Sequence, residues 1–171
     1  MNSLEEINNI NLDIHRVYIT SRERDVVRRI RAMANDTCRG SISPDYIHAS
    51  FNKFKQGIVY YINNNTHGFC IWKVREHTRP DLSTCKELHI YLVCAKKTTK
   101  PFLQVIINDV EDYCMHNNVD FISLYPVNKT VEDYYASYGF KHNSNDVQLM
   151  TKNISIIPIP KSSTTRRRRR I

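Results

Sequence analysis

Two basic segments of the chain carry side chains of the kind that bind phosphate groups. The first is Lys96-Lys97-Thr98-Thr99-Lys100, whose ammonium groups and hydroxyls could hold a diphosphate by charge and hydrogen bonds. The second is the run Arg166-Arg167-Arg168-Arg169-Arg170 near the C-terminus, which could contact the phosphates of RNA or DNA. A solvated basic turn is the alternative for the first segment, and a nuclear-import signal is the alternative for the second.

A candidate acid-base pair lies in the segment ELHIYLV. Glu87 and His89 are two residues apart, so a β-strand would place both side chains on one face. The imidazole of His89 has an ordinary pKa close to neutrality and is by that measure the better base. A glutamate base would need partial burial to raise its pKa toward neutrality. The alternative is a solvent-exposed glutamate at the start of a strand, beside a structural histidine.

The chain contains five cysteines, which are Cys38, Cys70, Cys85, Cys94 and Cys114. Their number is odd, they are scattered, and no two of them form a C-x-x-C pair. This pattern predicts reduced thiols in a cytoplasmic or nuclear compartment, without a disulfide framework. It also predicts no metal site.

Hydrophobic periodicity predicts the elements that position these residues. The predicted strands cover residues 14–20, 57–63, 68–76, 86–95, 119–127 and 146–154, with room for a short one at 140–144. The predicted helices begin at a Thr20–Glu23 capping box and at Ser43-Pro44-Asp45, and cover 99–118 and 129–140. This order predicts a single α/β domain, with a mixed central sheet and helices on both faces.

The chain has the size and composition of one packed domain. Its 171 residues are 41% hydrophobic and 25% charged, as in globular proteins. We expect a lead-in segment at 1–13, the domain at 14–153, a proline-containing linker at 154–160 and a disordered tail at 161–171, which holds six of the net eight positive charges. No apolar run reaches the roughly 20 residues of a membrane helix, and the polar N-terminus does not have the pattern of a signal peptide. The abundance of asparagine and isoleucine, with the arginine tail, suggests a large DNA virus as the source.

The order of elements resembles that of the GNAT superfamily of acyl-CoA-dependent N-acetyltransferases, most sharply between Glu87 and Phe140. ELHIYLV is similar to the fourth strand of that family, which splays from the fifth strand, here DFISLYPV, to admit acetyl-CoA. Asn128 and the later segment DYYASYGF, residues 133–140, resemble the ending N-x(n)-F-Y-x-x-x-G-F that recurs in the family. The likeness extends over residues 14 to about 153.

The resemblance implies a role for each candidate residue. Tyr135 would protonate the departing coenzyme thiolate as a general acid, and Glu87 or His89 would take a proton from the attacking amine. Backbone N–H groups near Leu92, Val93 and Cys94 would polarise the thioester carbonyl. Acetyl-CoA would be held there and by a group of further residues, which are Lys96, Lys97, Thr98, Thr99, Lys100 and Asn128.

One segment departs from the family pattern. Where the family has the glycine-rich sequence Q/R-x-x-G-x-G/A before a helix, this chain has no glycine and has Pro101, which lacks a backbone N–H. The alternative is therefore a GNAT-like structural or binding module with weakened or lost catalysis, attached to nucleic acid through its tail. The acyl acceptor, beyond being an amine, and the oligomeric state stay open.

Overall fold

The computed structural model describes residues 13–38, 40–96 and 100–154. Its strands are β1 (Ile14–Thr20), β2 (Gln56–Ile62), β3 (Asn65–Thr78), β4 (Thr84–Ala95), β5 (Phe121–Leu124), β6 (Lys141–His142) and β7 (Met150–Asn153). Its helices are α1 (Arg24–Met33), α2 (Pro44–Lys53), α3 (Lys100–His116) and α4 (Lys129–Ser137), and a π-helical turn, Ala34–Cys38, follows α1. The predicted linker beyond Ile154, the tail, and all of the lead-in segment except Asp13 lie outside the described residues.

The seven strands form one mixed sheet in the order β1-β2-β3-β4-β5-β7-β6. β4 and β5 are parallel, and α3 connects them. The other neighbouring strands are antiparallel. The prediction of a single α/β domain with a mixed sheet is confirmed, including the short strand between 140 and 144.

Helices cover both faces of the sheet, and each face has its own hydrophobic cluster. On the α1/α2 face, Ile30 and Phe51 are packed in one cluster with side chains of β2, β3 and β4. On the α3/α4 face, Ile106 and Tyr135 belong to a second cluster. β3 alternates between the two faces, since Ile71 belongs to the first cluster and Trp72 to the second.

A bulge in β4 interrupts this alternation in the neighbouring strand. Ile71 pairs with Leu92, and Trp72 pairs with Ile90, which leaves Tyr91 without a partner on β3. Ile90 lies on the α3/α4 face, whereas Tyr91 and Leu92 both pack on the α1/α2 face. The bulge therefore shifts the side-chain order by one residue before the strand reaches Cys94.

Two element boundaries differ from prediction for identifiable reasons. The turn between β2 and β3 consists of Asn63 and Asn64, with φ of 50° and 61°, instead of residues 64–67. Asparagine tolerates this left-handed conformation, and a two-residue turn of this kind matches the twist of a hairpin. β5 ends at Leu124 instead of residue 127, because Pro126 has no N–H with which to continue the ladder.

The prediction that all five cysteines are free is wrong. Cys38 and Cys94 form a disulfide, with their Cα atoms 6.4 Å apart. The π-helical turn brings Cys38 next to the end of β4, 56 residues further along the chain. The other three cysteines, Cys70, Cys85 and Cys114, are free and buried.

Across the described ranges, no helix combines the length and apolar character that a membrane crossing needs. The same residues contain no group of three or more His, Cys, Asp or Glu side chains arranged to hold a metal ion.

Candidate functional site

The centre of the sheet opens where β4 and β5 separate. Their parallel pairing runs from Glu87–Phe121 to Ile90–Leu124 and ends there, although β4 continues to Ala95. Among the described residues, no strand pairs with the β5-facing edge of β4 beyond Ile90. Backbone N–H and C=O groups of residues 92–94 along this edge are therefore available to a ligand.

A cavity of about 200 Å³ occupies the gap between the two strands. Residues of β4 and of the segment after β5 form its walls, among them Leu92, Val93, Cys94 and Asn128. Side chains from the α1/α2 face, such as Tyr46, and from the α3/α4 face, such as Tyr135, also line it. The cavity thus has lining groups from both layers of helices.

Tyr135 lines the cavity from α4 and is only 6% exposed. Burial raises the pKa of its phenol, so the group is protonated at neutral pH. Its ring packs edge-on against Phe140 at a centroid distance of 5.4 Å. Among the described residues, no side chain or backbone group hydrogen-bonds its hydroxyl, which is therefore free to donate a proton into the cavity.

The ends of α4 explain the position of Tyr135. Asn128 is the N-cap, and its Oδ1 accepts a hydrogen bond from the backbone N–H of Val131 at 2.9 Å. The helix stops at Gly139, whose φ of 93° favours glycine. Asn128 therefore has a structural role as the cap of α4, in addition to lining the cavity.

Glu87 is the centre of a buried polar cluster beside the cavity. It is 4% exposed, which contradicts the alternative of a glutamate in solvent. Arg75 Nη2 donates to its Oε1 at 3.0 Å, and His77 Nε2 lies 2.5 Å from its Oε2. The hydroxyl of Ser123 also donates to Oε1.

Glu87 does not have the raised pKa that a glutamate base would need. Burial by itself would raise the pKa, but the nearby imidazole of His89, hydrogen bonds from Ser123 and His77 and the charge of Arg75 together outweigh it. The pKa of Glu87 is held well below its ordinary range, so the group is a carboxylate at neutral pH and a weak base.

His89 lies on the α1/α2 face with Glu87, as the two-residue spacing predicts, and is 5% exposed. Its Nδ1 is 2.7 Å from Ser123 Oγ on β5. Its ring packs against the rings of Tyr91 and Tyr125, at centroid distances of 4.9 and 5.7 Å. Both tyrosines line the cavity, which places His89 directly behind its wall.

Sequence analysis missed three members of this cluster. Arg75 and His77 come from β3 and Ser123 comes from β5, so only the strand order and register bring them to Glu87. One signal was present in the sequence, because Ser123 is a single hydroxyl within the apolar strand FISL. A buried polar side chain in such a strand needs a hydrogen-bond partner.

No protein-family model matches the chain, and no curated protein matches it in sequence. Solved structures do match. Aminoglycoside 6'-acetyltransferase type Ii superimposes with a TM-score of 0.54 at 13% identity, over 85% of this chain and 99% of that one.

Two further structures give the same result. PaiA N-acetyltransferase from Thermoplasma acidophilum, in complex with coenzyme A, has a TM-score of 0.57 at 16% identity, over 83% of this chain and 99% of that one. The ribosomal-protein-S18-alanine N-acetyltransferase from Escherichia coli has a TM-score of 0.55 at 11% identity, over 82% of this chain and 95% of that one. The chain has the GNAT N-acetyltransferase fold. The predicted resemblance to this fold is confirmed, and identities this low establish the fold alone.

Within the GNAT fold of this chain, the predicted coenzyme-binding residues divide into two groups. Leu92, Val93, Cys94 and Asn128 line the cavity. The basic segment that follows β4 lies mostly outside the described residues, which exclude Lys97, Thr98, Thr99 and the side chain of Lys100. Lys96 is exposed, and its backbone N–H donates to the carbonyl of His67 at 2.8 Å and is therefore already paired.

The arginine run Arg166–Arg170 also lies outside the described residues. Binding of a diphosphate by the first basic segment, and of nucleic acid by the second, stay predictions.

Proposed function

We propose that this protein is an N-acetyltransferase that transfers the acetyl group of acetyl-CoA to an amine of an acceptor. The observation that carries the proposal is the cavity between β4 and β5, which has the protonated phenol of Tyr135 in its wall and a buried base cluster behind it. The GNAT fold supports it, since PaiA of the same fold was solved in complex with coenzyme A.

The residues present fit an acyl thioester on a pantetheine arm. The edge of β4 over residues 92–94 offers N–H and C=O groups to the amides of the arm, as a neighbouring strand would. A volume of about 200 Å³ suits the acyl group and the end of the arm, whereas a pocket for a whole coenzyme is larger. The coenzyme supplies an acetyl group activated as a thioester.

Different groups of the protein polarise the carbonyl, protonate the thiolate and take the proton of the amine. Backbone N–H groups of Leu92 to Cys94, which line the cavity, polarise the thioester carbonyl. Tyr135, whose phenol is protonated at neutral pH, gives its proton to the departing thiolate. The cluster of Glu87, His89 and Ser123 takes the proton of the attacking amine.

The test is an acyl-transfer assay that follows release of the coenzyme thiol from acetyl-CoA. A panel of amines serves as acceptors, including polyamines, aminoglycosides and peptides with free N-termini or lysines, with mass spectrometry of the product. We expect Tyr135→Phe to lower kcat about 10²-fold with little change in acetyl-CoA affinity. Tyr18→Phe, which removes a hydroxyl from the exposed edge strand β1, is the matched control and should leave kcat unchanged. Equal rates for both variants would contradict the role of Tyr135.

A second candidate function is favoured by the absence of glycine between Lys96 and Pro101. In that case the domain is a binding or structural module that the arginine tail attaches to nucleic acid. The two candidates separate cleanly, because the module would show tail-dependent binding of RNA or DNA and no stabilisation by acetyl-CoA.

A further inference from the structure

Three buried polar side chains form a continuous hydrogen-bonded chain across β4 and β5. Glu87, His89 and Ser123 are 4%, 5% and 0% exposed. Ser123 Oγ contacts Glu87 Oε1 on one side and lies 2.7 Å from His89 Nδ1 on the other. The direct distance from His89 Nδ1 to Glu87 Oε1 is 3.7 Å, which is too long for a hydrogen bond. Ser123 therefore links the histidine to the carboxylate.

The partners of Glu87 fix the direction in which each proton points. The carboxylate contacts the guanidinium of Arg75 at 3.0 Å and His77 Nε2 at 2.5 Å, so it is ionised and only accepts hydrogen bonds. The single hydroxyl proton of Ser123 is consequently donated to Glu87. Ser123 Oγ then accepts from His89, and this requires the proton of the neutral imidazole to be on Nδ1.

The other ring nitrogen of His89, Nε2, is thereby left with a free lone pair. Nε2 makes no hydrogen bond within the described part of the chain. It is also not among the fully buried side-chain atoms that lack a hydrogen-bond partner. The ring packs against Tyr91 and Tyr125, which line the cavity. The imidazole ring that carries Nε2 therefore lies against two side chains of the cavity wall.

We infer that Ser123 is a positioning residue that holds His89 in the Nδ1–H tautomer, so that His89 Nε2, and not Glu87, takes the proton of the acceptor amine. This inference rests on the proposed function. The proton passes from the amine nitrogen to Nε2 as the N–C bond to the acetyl carbon forms. The C–S bond breaks, and the thiolate receives the proton of Tyr135.

The role of Glu87 in this arrangement is that of a fixed negative charge. Both of its oxygens already accept hydrogen bonds, from Arg75 and Ser123 on Oε1 and from His77 on Oε2. Its charge stabilises the imidazolium that forms when Nε2 is protonated, in the same way that a buried carboxylate supports a catalytic histidine through the second ring nitrogen. The charged and titratable groups that face His89 directly or through Glu87 are Glu87 and Tyr91 of β4, Arg75 and His77 of β3, and Tyr125 after β5. Tyr46 of α2 interacts in turn with Tyr91 and Tyr125.

The first arm of the test reads the tautomer directly and needs no activity. Long-range ¹H–¹⁵N spectra of the full-length protein, with the His89 signals assigned by their loss in His89→Gln, should show Nδ1 protonated and Nε2 unprotonated at pH 8. Ser123→Ala should mix the two tautomers, whereas Ser123→Thr, which keeps the hydroxyl, should not. Ser50→Ala is the matched control, because Ser50 is also a buried serine but donates to backbone carbonyls of Tyr46 and Tyr91.

The second arm is the pH dependence of kcat/KM in acetyl transfer. Ser123→Ala should lose about 10- to 100-fold in kcat/KM and shift the acidic limb of the profile, and Ser123→Thr should recover most of the loss. A protonated Nε2 in the unmodified protein, or an unchanged His89 spectrum in Ser123→Ala, overturns the inference. Equal losses in the alanine and threonine variants with no shift in the profile also overturn it. The predicted spectra in a protein without any acetyl transfer would refute the proposed function and support the positioning of His89.

Discussion

The Cys38–Cys94 disulfide ties the helices of the α1/α2 face to the end of β4, and we predict that it contributes strongly to stability. The two cysteines are separated by 56 residues. In the chain-entropy account, closing a loop of this length removes about 4 kcal/mol of freedom from the unfolded chain. For a domain of this size, this corresponds to a loss of roughly 10 °C in Tm when the bond is absent.

The perturbation is the double variant Cys38→Ser/Cys94→Ser, compared with the natural sequence with and without a thiol reductant. Reductant should lower the Tm of the natural protein to about that of the double variant, and should not change the double variant itself. Cys85→Ser is the matched control, because Cys85 is buried but free. This control should lose only about 1 kcal/mol and should still respond to reductant.

A thiol count gives an independent check on the same bond. Titration of the protein unfolded without reductant should find three free thiols out of five cysteines, since Cys70, Cys85 and Cys114 are unpaired. Five free thiols, or a Tm that reductant does not change, would refute the reasoning.

Three further predictions concern the ion pairs of Glu87, the helix cap Asn128 and the arginine tail. The folded-state pKa of Glu87 is lowered, so its ion pairs stabilise the protein above the ordinary glutamate pKa of 4.5 and lose that contribution as the pH falls below it. Chemical unfolding should therefore show that Glu87→Gln costs about 3 kcal/mol at pH 6 and clearly less at pH 3, and an equal cost at both would contradict the pairing. Asn128→Ala should lower unfolding stability by about 1 kcal/mol through loss of the α4 cap, while Asn128→Asp should keep it, and equal losses in the two variants would argue against the cap. If all five arginines of the tail contact phosphates, log affinity for duplex DNA should fall against log salt with a slope of about −4 to −5. Deleting residues 161–171 should flatten that slope, and equal slopes would place the basic surface elsewhere.

The sequence was sufficient to predict the order of elements, because each strand and helix has its own hydrophobic period and end signals. The resemblance of the segment before Gly139 and Phe140 to the GNAT family also implied a place for Tyr135 near the coenzyme, and Tyr135 does line the cavity. The alternation of side chains along a β-strand also predicted that Glu87 and His89 lie on one face of β4. The bulge that interrupts this alternation comes later in the strand, at Tyr91.

What the sequence could not supply depends on contacts between distant segments. The bulge at Tyr91 arises from the register between β3 and β4, which no local pattern encodes. The disulfide needs Cys38 and Cys94 to meet across 56 residues. The pKa of Glu87 is lowered by residues of two other strands, and burial without those partners would have shifted it in the opposite direction.

The central claim is that the cavity between β4 and β5 binds the acetyl-bearing end of acetyl-CoA, and ligand-induced stabilisation measures it most directly. Acetyl-CoA at 100 times its dissociation constant should stabilise the natural protein by about 2.7 kcal/mol, or several degrees in Tm. Val93→Trp, which adds a large ring at the wall of the cavity, should abolish this increase in Tm. The matched control Val147→Trp, at an exposed position, should retain it. No shift in the natural protein, or the same shift in Val93→Trp, would contradict the claim.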